Sequence, residues 1–142
     1  MTELEKNRTL LVDSNIWLYA FIEGQDLRKS GIAKSVIQDN NSAIIVSTQI
    51  INEISVNLIR KTSFSEDEIQ QLVVSFYGKY DVVEINKQIL LKASEIRNHH
   101  KFSFWDSIIF ASALYANAEI LYSEDMHDGF PIDNTTITNP FG

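Results

Sequence analysis

The stretch Thr9-Leu10-Leu11-Val12-Asp13 decides the fold, because a short run of apolar and β-branched residues ends directly in a carboxylate. A run of this length is typical of a strand that is covered on both faces of a sheet. Three further runs have the same character, and a fourth is weaker and is favoured mainly by its β-branched residues. The sequence therefore predicts five strands, at 9–12, 43–46, 81–85, 119–122 and 135–138.

Helical patterns lie between these runs. Ser65 with Glu68, and Ser103 with Asp106, have the spacing of a capping box at a helix start. Strands that alternate with helices predict an α/β fold with a parallel sheet, and ligands of such sheets bind at the carboxyl ends of the strands. The predicted helices cover 16–23, 28–38, 48–60, 65–79, 87–98 and 103–116.

The composition limits the classes of protein to consider. A chain of 142 residues with 44% hydrophobic residues predicts a single domain, 1–142, with a normal core. The absence of cysteine fits the cytoplasm, residues 1–8 are too charged for a secretory signal, and no apolar run is long enough to span a membrane. The net charge of −7 argues against a protein that coats nucleic acid electrostatically, although it allows an enzyme that meets nucleic acid through metal ions.

Four acidic residues stand beside elements that we expect to be buried. Asp13 ends the first strand, and Asp125 follows the fourth. Glu53 lies on the flank of an apolar helical face, and Asp106 begins the most apolar helix of the chain. If the sheet is parallel, these carboxylates gather at one edge, where they repel one another unless a cation joins them.

Clustered carboxylates select hard cations such as Mg²⁺ or Mn²⁺, and such ions assist phosphodiester hydrolysis. Each acid also has an ordinary interpretation when it is taken alone. Asp13 could cap a helix, Asp106 could complete a capping box, Glu53 could face solvent, and Asp125 could lie in a turn. The joint arrangement favours the metal-dependent interpretation.

Four motifs together resemble the PIN-domain family, and they follow that family's order along nearly the whole chain. The first is Leu11-Val12-Asp13-Ser14-Asn15-Ile16-Trp17-Leu18-Tyr19, and the least specific is Gln49-Ile50-Ile51-Asn52-Glu53. The third is Phe104-Trp105-Asp106-Ser107-Ile108-Ile109-Phe110-Ala111-Ser112-Ala113. The fourth is Ile120-Leu121-Tyr122-Ser123-Glu124-Asp125-Met126 with Gly129. Size and motif style are similar to the VapC toxins of type II toxin–antitoxin pairs.

The resemblance implies a three-layer α/β/α fold with a central five-stranded parallel sheet. It implies that Asp13, Glu53, Asp106 and Asp125 are both the catalytic residues and the ligands of Mg²⁺ or Mn²⁺. It further implies endonuclease action on RNA, an antitoxin protein that blocks the active site, and a homodimer.

Some roles remain open in the sequence. Glu124 and Asp128 are near enough to assist or replace Asp125. Supporting roles are open to Ser14, Asn15 and Ser123, and contacts with RNA phosphate are open to Arg97, His100 and Lys101. His99 and His100 fit a solvated loop better than a metal site. Base stacking competes with core packing for Trp17, Tyr19 and Phe21.

Three rival classes share an acidic strand end. A phosphatase of the haloacid-dehalogenase type needs a second aspartate two residues after the first, where this chain has Asn15. A receiver-type signalling module needs an aspartate after the third strand and a lysine after the fifth, and the chain has neither. The third alternative is a catalytically silent PIN-fold binding module. A measurement of RNA cleavage distinguishes this module from the enzyme.

Overall fold

A computed structural model describes residues 8–22, 24 and 26–142, and a twisted sheet forms the centre of this part of the chain. Its strands follow the order β3-β2-β1-β4-β6-β5. All neighbouring pairs are parallel except β5 and β6, which form an antiparallel hairpin. The strands are β1 (Leu10–Val12), β2 (Ile44–Ser47), β3 (Asp81–Val83), β4 (Ile120–Tyr122), β5 (Pro131–Ile132) and β6 (Thr135–Thr138).

Six α-helices flank the sheet within the described residues. Side-chain oxygens of the preceding residues cap their first turns, and Ser65 with Glu68 forms both bonds of a capping box. A turn of 3₁₀-helix, Asn41–Ala43, precedes β2. The helices are α1 (Ser14–Phe21), α2 (Leu27–Asp39), α3 (Thr48–Lys61), α4 (Glu66–Lys79), α5 (Lys87–His99) and α6 (Phe104–Tyr115).

The predicted α/β class and the five parallel strands are confirmed, and all six predicted helices are present. The prediction of a purely parallel five-stranded sheet needs one correction, because β5 adds a sixth, antiparallel strand. This strand has only two residues, and it returns through a tight turn in which Asp133 takes a positive φ of 50°. Residues 1–7 and Glu23, which the signal and helix predictions included, lie outside the described residues.

The core lies on both faces of the sheet. Leu10, Leu11 and Val12 are fully buried, as a strand at the centre of a parallel sheet requires. Helix α6 is buried along most of its length, and Phe110 is one of its fully enclosed side chains. Among the residues that the structure describes, no helix combines the length and apolar character needed to cross a bilayer.

Candidate active site

The candidate site begins where β1 and β4 end side by side. These strands pair in parallel with Val12 opposite Tyr122, so that Asp13 and Ser123 follow at the same edge of the sheet. The backbone N–H of Asp13 donates to the carbonyl of Tyr122 over 2.9 Å. The carboxyl end of the central strand therefore fixes Asp13, which is where a ligand of a parallel sheet is expected.

Asp13 is a buried carboxylate held by two short hydrogen bonds. Its side chain is 6% exposed, and it accepts from the Ser14 N–H at 2.7 Å and from Ser123 Oγ at 2.9 Å. The pKa of Asp13 is raised from 3.8 to about 6: burial is the largest cause, the charges of Glu53 and Asp106 contribute to the rise, and the two hydrogen bonds oppose it. Among the described residues, no cationic side chain is a cause of this shift.

Glu53 approaches Asp13 from helix α3. The hydroxyl of Ser14 lies 3.5 Å from Asp13 Oδ1 and 3.5 Å from Glu53 Oε2, so these oxygens are separated by at most twice that distance. Burial raises the pKa of Glu53, and the charge of Asp106 adds to the effect. Glu53 is half-buried beside the apolar face formed by Ile50 and Ile54, as the helical pattern predicted.

Gln49 connects helices α3 and α6 beside the acids. Its Nε2 donates to Glu53 Oε1 at 3.2 Å and to the carbonyl of Trp105 at 3.3 Å. Asp106 follows Trp105 in the first turn of α6, where Ser103 Oγ accepts from its N–H. No role for Gln49 follows from the sequence alone, although its spacing of four residues from Glu53 places both on one helix face.

Asp125 occupies a different environment from the other three acids. It is exposed, and Asn15 Nδ2 donates to its carboxylate. The largest charge effects on Asp13 come from Glu53 and Asp106 rather than from Asp125. The structure thus places Asp13 and Glu53 around the Ser14 hydroxyl, with Asp106 near enough for its charge to act on both, and ties Asp125 to the same edge through Asn15.

The two reserve acids have other partners. Glu124 Oε1 accepts from Lys29 Nζ at 2.7 Å and lies 3.4 Å from the hydroxyl of Tyr19. Asp128 Oδ1 accepts from the backbone N–H of Asn139 at 2.8 Å. Because both carboxylates are engaged in holding the chain together, Asp125 is the better candidate for the fourth position.

The donor chemistry of the cluster fits a hard divalent cation. Its side chains offer carboxylate oxygens, which are the ligands that Mg²⁺ and Mn²⁺ prefer. Burial is the largest cause of the raised pKa values of Asp13 and Glu53, and neighbouring acidic side chains add to it, so a bound cation would favour their charged forms. Across residues 8–22, 24 and 26–142, no three His, Asp or Glu side chains already form a group tight enough to hold a metal.

The other sequence-predicted residues divide between core and surface. Trp17 is 2% exposed and donates from its indole Nε1 to the carbonyl of Val12 at 3.1 Å, so it belongs to the core. Tyr19 is half-buried, and Phe21 is 40% exposed. The Arg97 guanidinium lies 4.4 Å from the centre of the Phe104 ring and donates to Ser107 Oγ.

Fold and site together define an α/β domain with a carboxylate cluster at the carboxyl edge of its parallel strands. The family model described as the PIN domain matches residues 10–128. The chain belongs to the PIN-domain family. Comparison with curated protein sequences gives no match.

The solved structures with similar folds include a toxin and a toxin–antitoxin complex. A toxin–antitoxin complex from Klebsiella pneumoniae matches with a TM-score of 0.71 and 20% identity, over 93% of this chain and 98% of that one. VapC20 of Mycobacterium tuberculosis, described as a sarcin–ricin loop cleaving toxin, matches with a TM-score of 0.68 and 20% identity, over 82% and 90% of the chains. VapBC2 from Rickettsia felis, bound to a DNA fragment from its promoter, matches with a TM-score of 0.63 and 18% identity, over 92% of this chain and 98% of that one. At these identities the likeness shows the fold.

Proposed function

We propose that this protein is a Mg²⁺- or Mn²⁺-dependent endoribonuclease and the VapC-type toxin of a type II toxin–antitoxin pair. The observation that carries the proposal is the meeting of Asp13 and Glu53 at the Ser14 hydroxyl, with Asp106 in the first turn of the adjoining helix α6. Membership of the PIN-domain family supports it, as does the likeness to a toxin described as cleaving the sarcin–ricin loop. Asp125 completes the proposed set of catalytic residues and metal ligands.

The chain's own residues hold the carboxylates in place for this chemistry. Ser14 N–H and Ser123 Oγ fix the two oxygens of Asp13, and Gln49 fixes one oxygen of Glu53. When bound, the divalent ion would polarise a phosphoryl oxygen and lower the pKa of water. Asp13, Glu53, Asp106 and Asp125 would hold it, and Asn15 would orient Asp125.

Cleavage of RNA by the purified protein tests the proposal. We expect endonucleolytic cuts in the presence of Mn²⁺ or Mg²⁺, loss of cutting with EDTA, and recovery when the ion is added back. Expression in a bacterial host should arrest growth. A protein that leaves a panel of transfer, ribosomal and messenger RNAs intact with both ions would instead fit the catalytically silent binding module.

Metal binding should also be visible in the stability of the protein. Because the ion binds the folded cluster, Mn²⁺ at a hundredfold excess over its Kd should stabilise the protein by about 2.7 kcal/mol. Thermal denaturation with increasing Mn²⁺ measures this effect. Asp106→Asn removes one proposed ligand, so its melting temperature should rise much less. Equal increases in both proteins would place the ion elsewhere.

The proposed partners follow from the same comparisons. The similar structure from Klebsiella pneumoniae is described as a toxin–antitoxin complex, which supports a cognate antitoxin for this chain. We propose that the antitoxin blocks the carboxylate cluster and that the toxin is a homodimer acting in the cytoplasm. Exposed apolar side chains such as Val74 and Leu91 offer surface to such partners. Co-expression with the gene of the cognate antitoxin should restore growth.

Lys101 is the proposed phosphate contact at the edge of the site. It is exposed between α5 and α6, and its carbonyl accepts from the ring of His127 if Nε2 is protonated. Lys101→Ala should weaken RNA binding at low salt and reduce the slope of log K against log salt by about one. Lys79→Ala is the control, because Lys79 precedes β3 at the opposite edge of the sheet. An unchanged slope in Lys101→Ala would reject the contact.

A further inference from the structure

A pocket opens beside the carboxylate cluster, on the outer side of Glu53. Its volume is about 480 Å³, and Glu53 belongs both to its wall and to the cluster. A group bound in this pocket therefore lies next to the site where we propose that phosphodiester bonds are cut. The lining residues are Gln49, Asn52, Glu53, Val56, Ile85 and Trp105.

Trp105 gives this pocket an exposed aromatic wall. Its side chain is 62% exposed, although it directly precedes Asp106 at the start of α6. The carbonyl of Trp105 accepts from Gln49, and its ring packs edge-to-face on Phe104 at 5.3 Å. Arg97 in turn covers the Phe104 ring. The Phe104 ring thus packs against the indole of Trp105, while a large part of the indole remains accessible to a ligand.

Two amide side chains also line the pocket. Gln49 is 7% exposed, and its Oε1 is buried without a hydrogen-bond partner among the described residues, while its Nε2 is fully used. An unpaired buried acceptor costs free energy that an incoming N–H group would recover. Asn52 is exposed three residues further along α3 and adds a second donor and acceptor.

We propose that this pocket binds one unpaired nucleobase of the RNA, next to the phosphate that is cut. The indole of Trp105 stacks on the base, and the amides of Gln49 and Asn52 read its edge. Single-stranded RNA is recognised by this combination of aromatic stacking and edge hydrogen bonds. The inference rests on the proposed ribonuclease function and names the residues that set its base preference.

Tryptophan fluorescence tests the proposal, because Trp17 is buried and Trp105 is the exposed indole. An unstructured oligoribonucleotide should quench Trp105 in the uncut complex with Asp13→Asn, and Trp105→Phe should lose the quench while it keeps most of the affinity. Trp105→Ala should weaken binding about tenfold or more. In the active protein it should raise KM, leave kcat nearly unchanged and alter the base preference beside the cut. Tyr115→Ala, an exposed aromatic further along the same helix, is the matched control and should change none of these.

Three results would overturn the inference. The first is RNA binding without a change in Trp105 fluorescence, and the second is a Trp105→Ala protein with native affinity and base preference. The third is shielding of Trp105 from iodide in the free protein, with Trp105→Ala converting a dimer to a monomer, because a second copy would then cover the pocket. Failure of the proposed function is distinguishable: RNA would quench Trp105 but remain uncut with Mn²⁺ or Mg²⁺.

Discussion

Asp13→Asn should lower the rate of RNA cleavage by on the order of a thousandfold or more while the fold is retained. The asparagine keeps an oxygen for the Ser14 N–H, and its amide can donate to Ser123 Oγ. What it removes is the negative charge that we propose for holding the metal, and loss of several kcal/mol of transition-state stabilisation corresponds to this change in rate. Single-turnover cleavage with Mn²⁺ measures it.

The same substitution should stabilise the metal-free protein. Because burial raises the pKa of Asp13 from 3.8 to about 6, the folded state binds a proton more tightly than the unfolded state does. Protonation of Asp13 therefore makes its full contribution to the free energy of unfolding below about pH 4. This contribution is lost as the pH rises through about 6. At pH 7 Asp13→Asn should recover up to about 3 kcal/mol of unfolding free energy.

Denaturation in EDTA across this pH range separates the two effects. The native protein should lose stability between about pH 4 and 6, and Asp13→Asn should lose less. Asp128→Asn is the control, because this nearby acid only accepts from the Asn139 N–H and keeps an oxygen to do so. It should retain cleavage. Full activity in Asp13→Asn would remove the site assignment.

Trp17→Ala should destabilise the fold by about 3–5 kcal/mol, which is a large part of a typical domain's stability. The Trp17 ring packs edge-on against Phe76 at 5.1 Å and Tyr80 at 5.5 Å, and it stacks on Phe21 at 5.9 Å. Its indole N–H also satisfies the carbonyl of Val12 at the end of the central strand. Removing the ring leaves a cavity and an unpaired carbonyl together.

Urea denaturation measures this change, and Trp105→Ala is the matched control. The chain has two tryptophans, and the exposed one should cost little stability when it is removed. A loss below 1 kcal/mol in Trp17→Ala, or a larger loss in Trp105→Ala, would contradict the burial of the two rings.

Most of the fold could be predicted because local sequence and tertiary structure agree. Apolar runs such as Leu10-Leu11-Val12 form strands, and the spacing of Ser65 and Glu68 forms the capping box. Ser103 and Asp106 share that spacing, but the described bonds include only the one in which the Asp106 N–H donates to Ser103. The Asp106 carboxylate is thus left for the site, which spacing alone cannot reveal.

The parts that sequence reasoning missed depend on contacts between distant residues. β5 is two residues long, too short for a periodic pattern, and it exists because β6 offers an edge to pair with. The choice among Glu124, Asp125 and Asp128 needed the positions of Lys29 and Asn139, far away in the chain. The role of Gln49 needed the Trp105 carbonyl of another helix.

The two strands at the margins of the sheet restrict how the protein associates with others. β3 has three residues and begins with the exposed Asp81, while β5 begins with Pro131, which has no N–H to donate. Neither margin is suited to receiving a strand from another molecule, so open-ended stacking of sheets into fibres is disfavoured. We therefore expect a partner to recognise side chains displayed by the helices and by the loops at the carboxyl edge of the sheet, and its selectivity can change through surface substitutions that leave the strands intact.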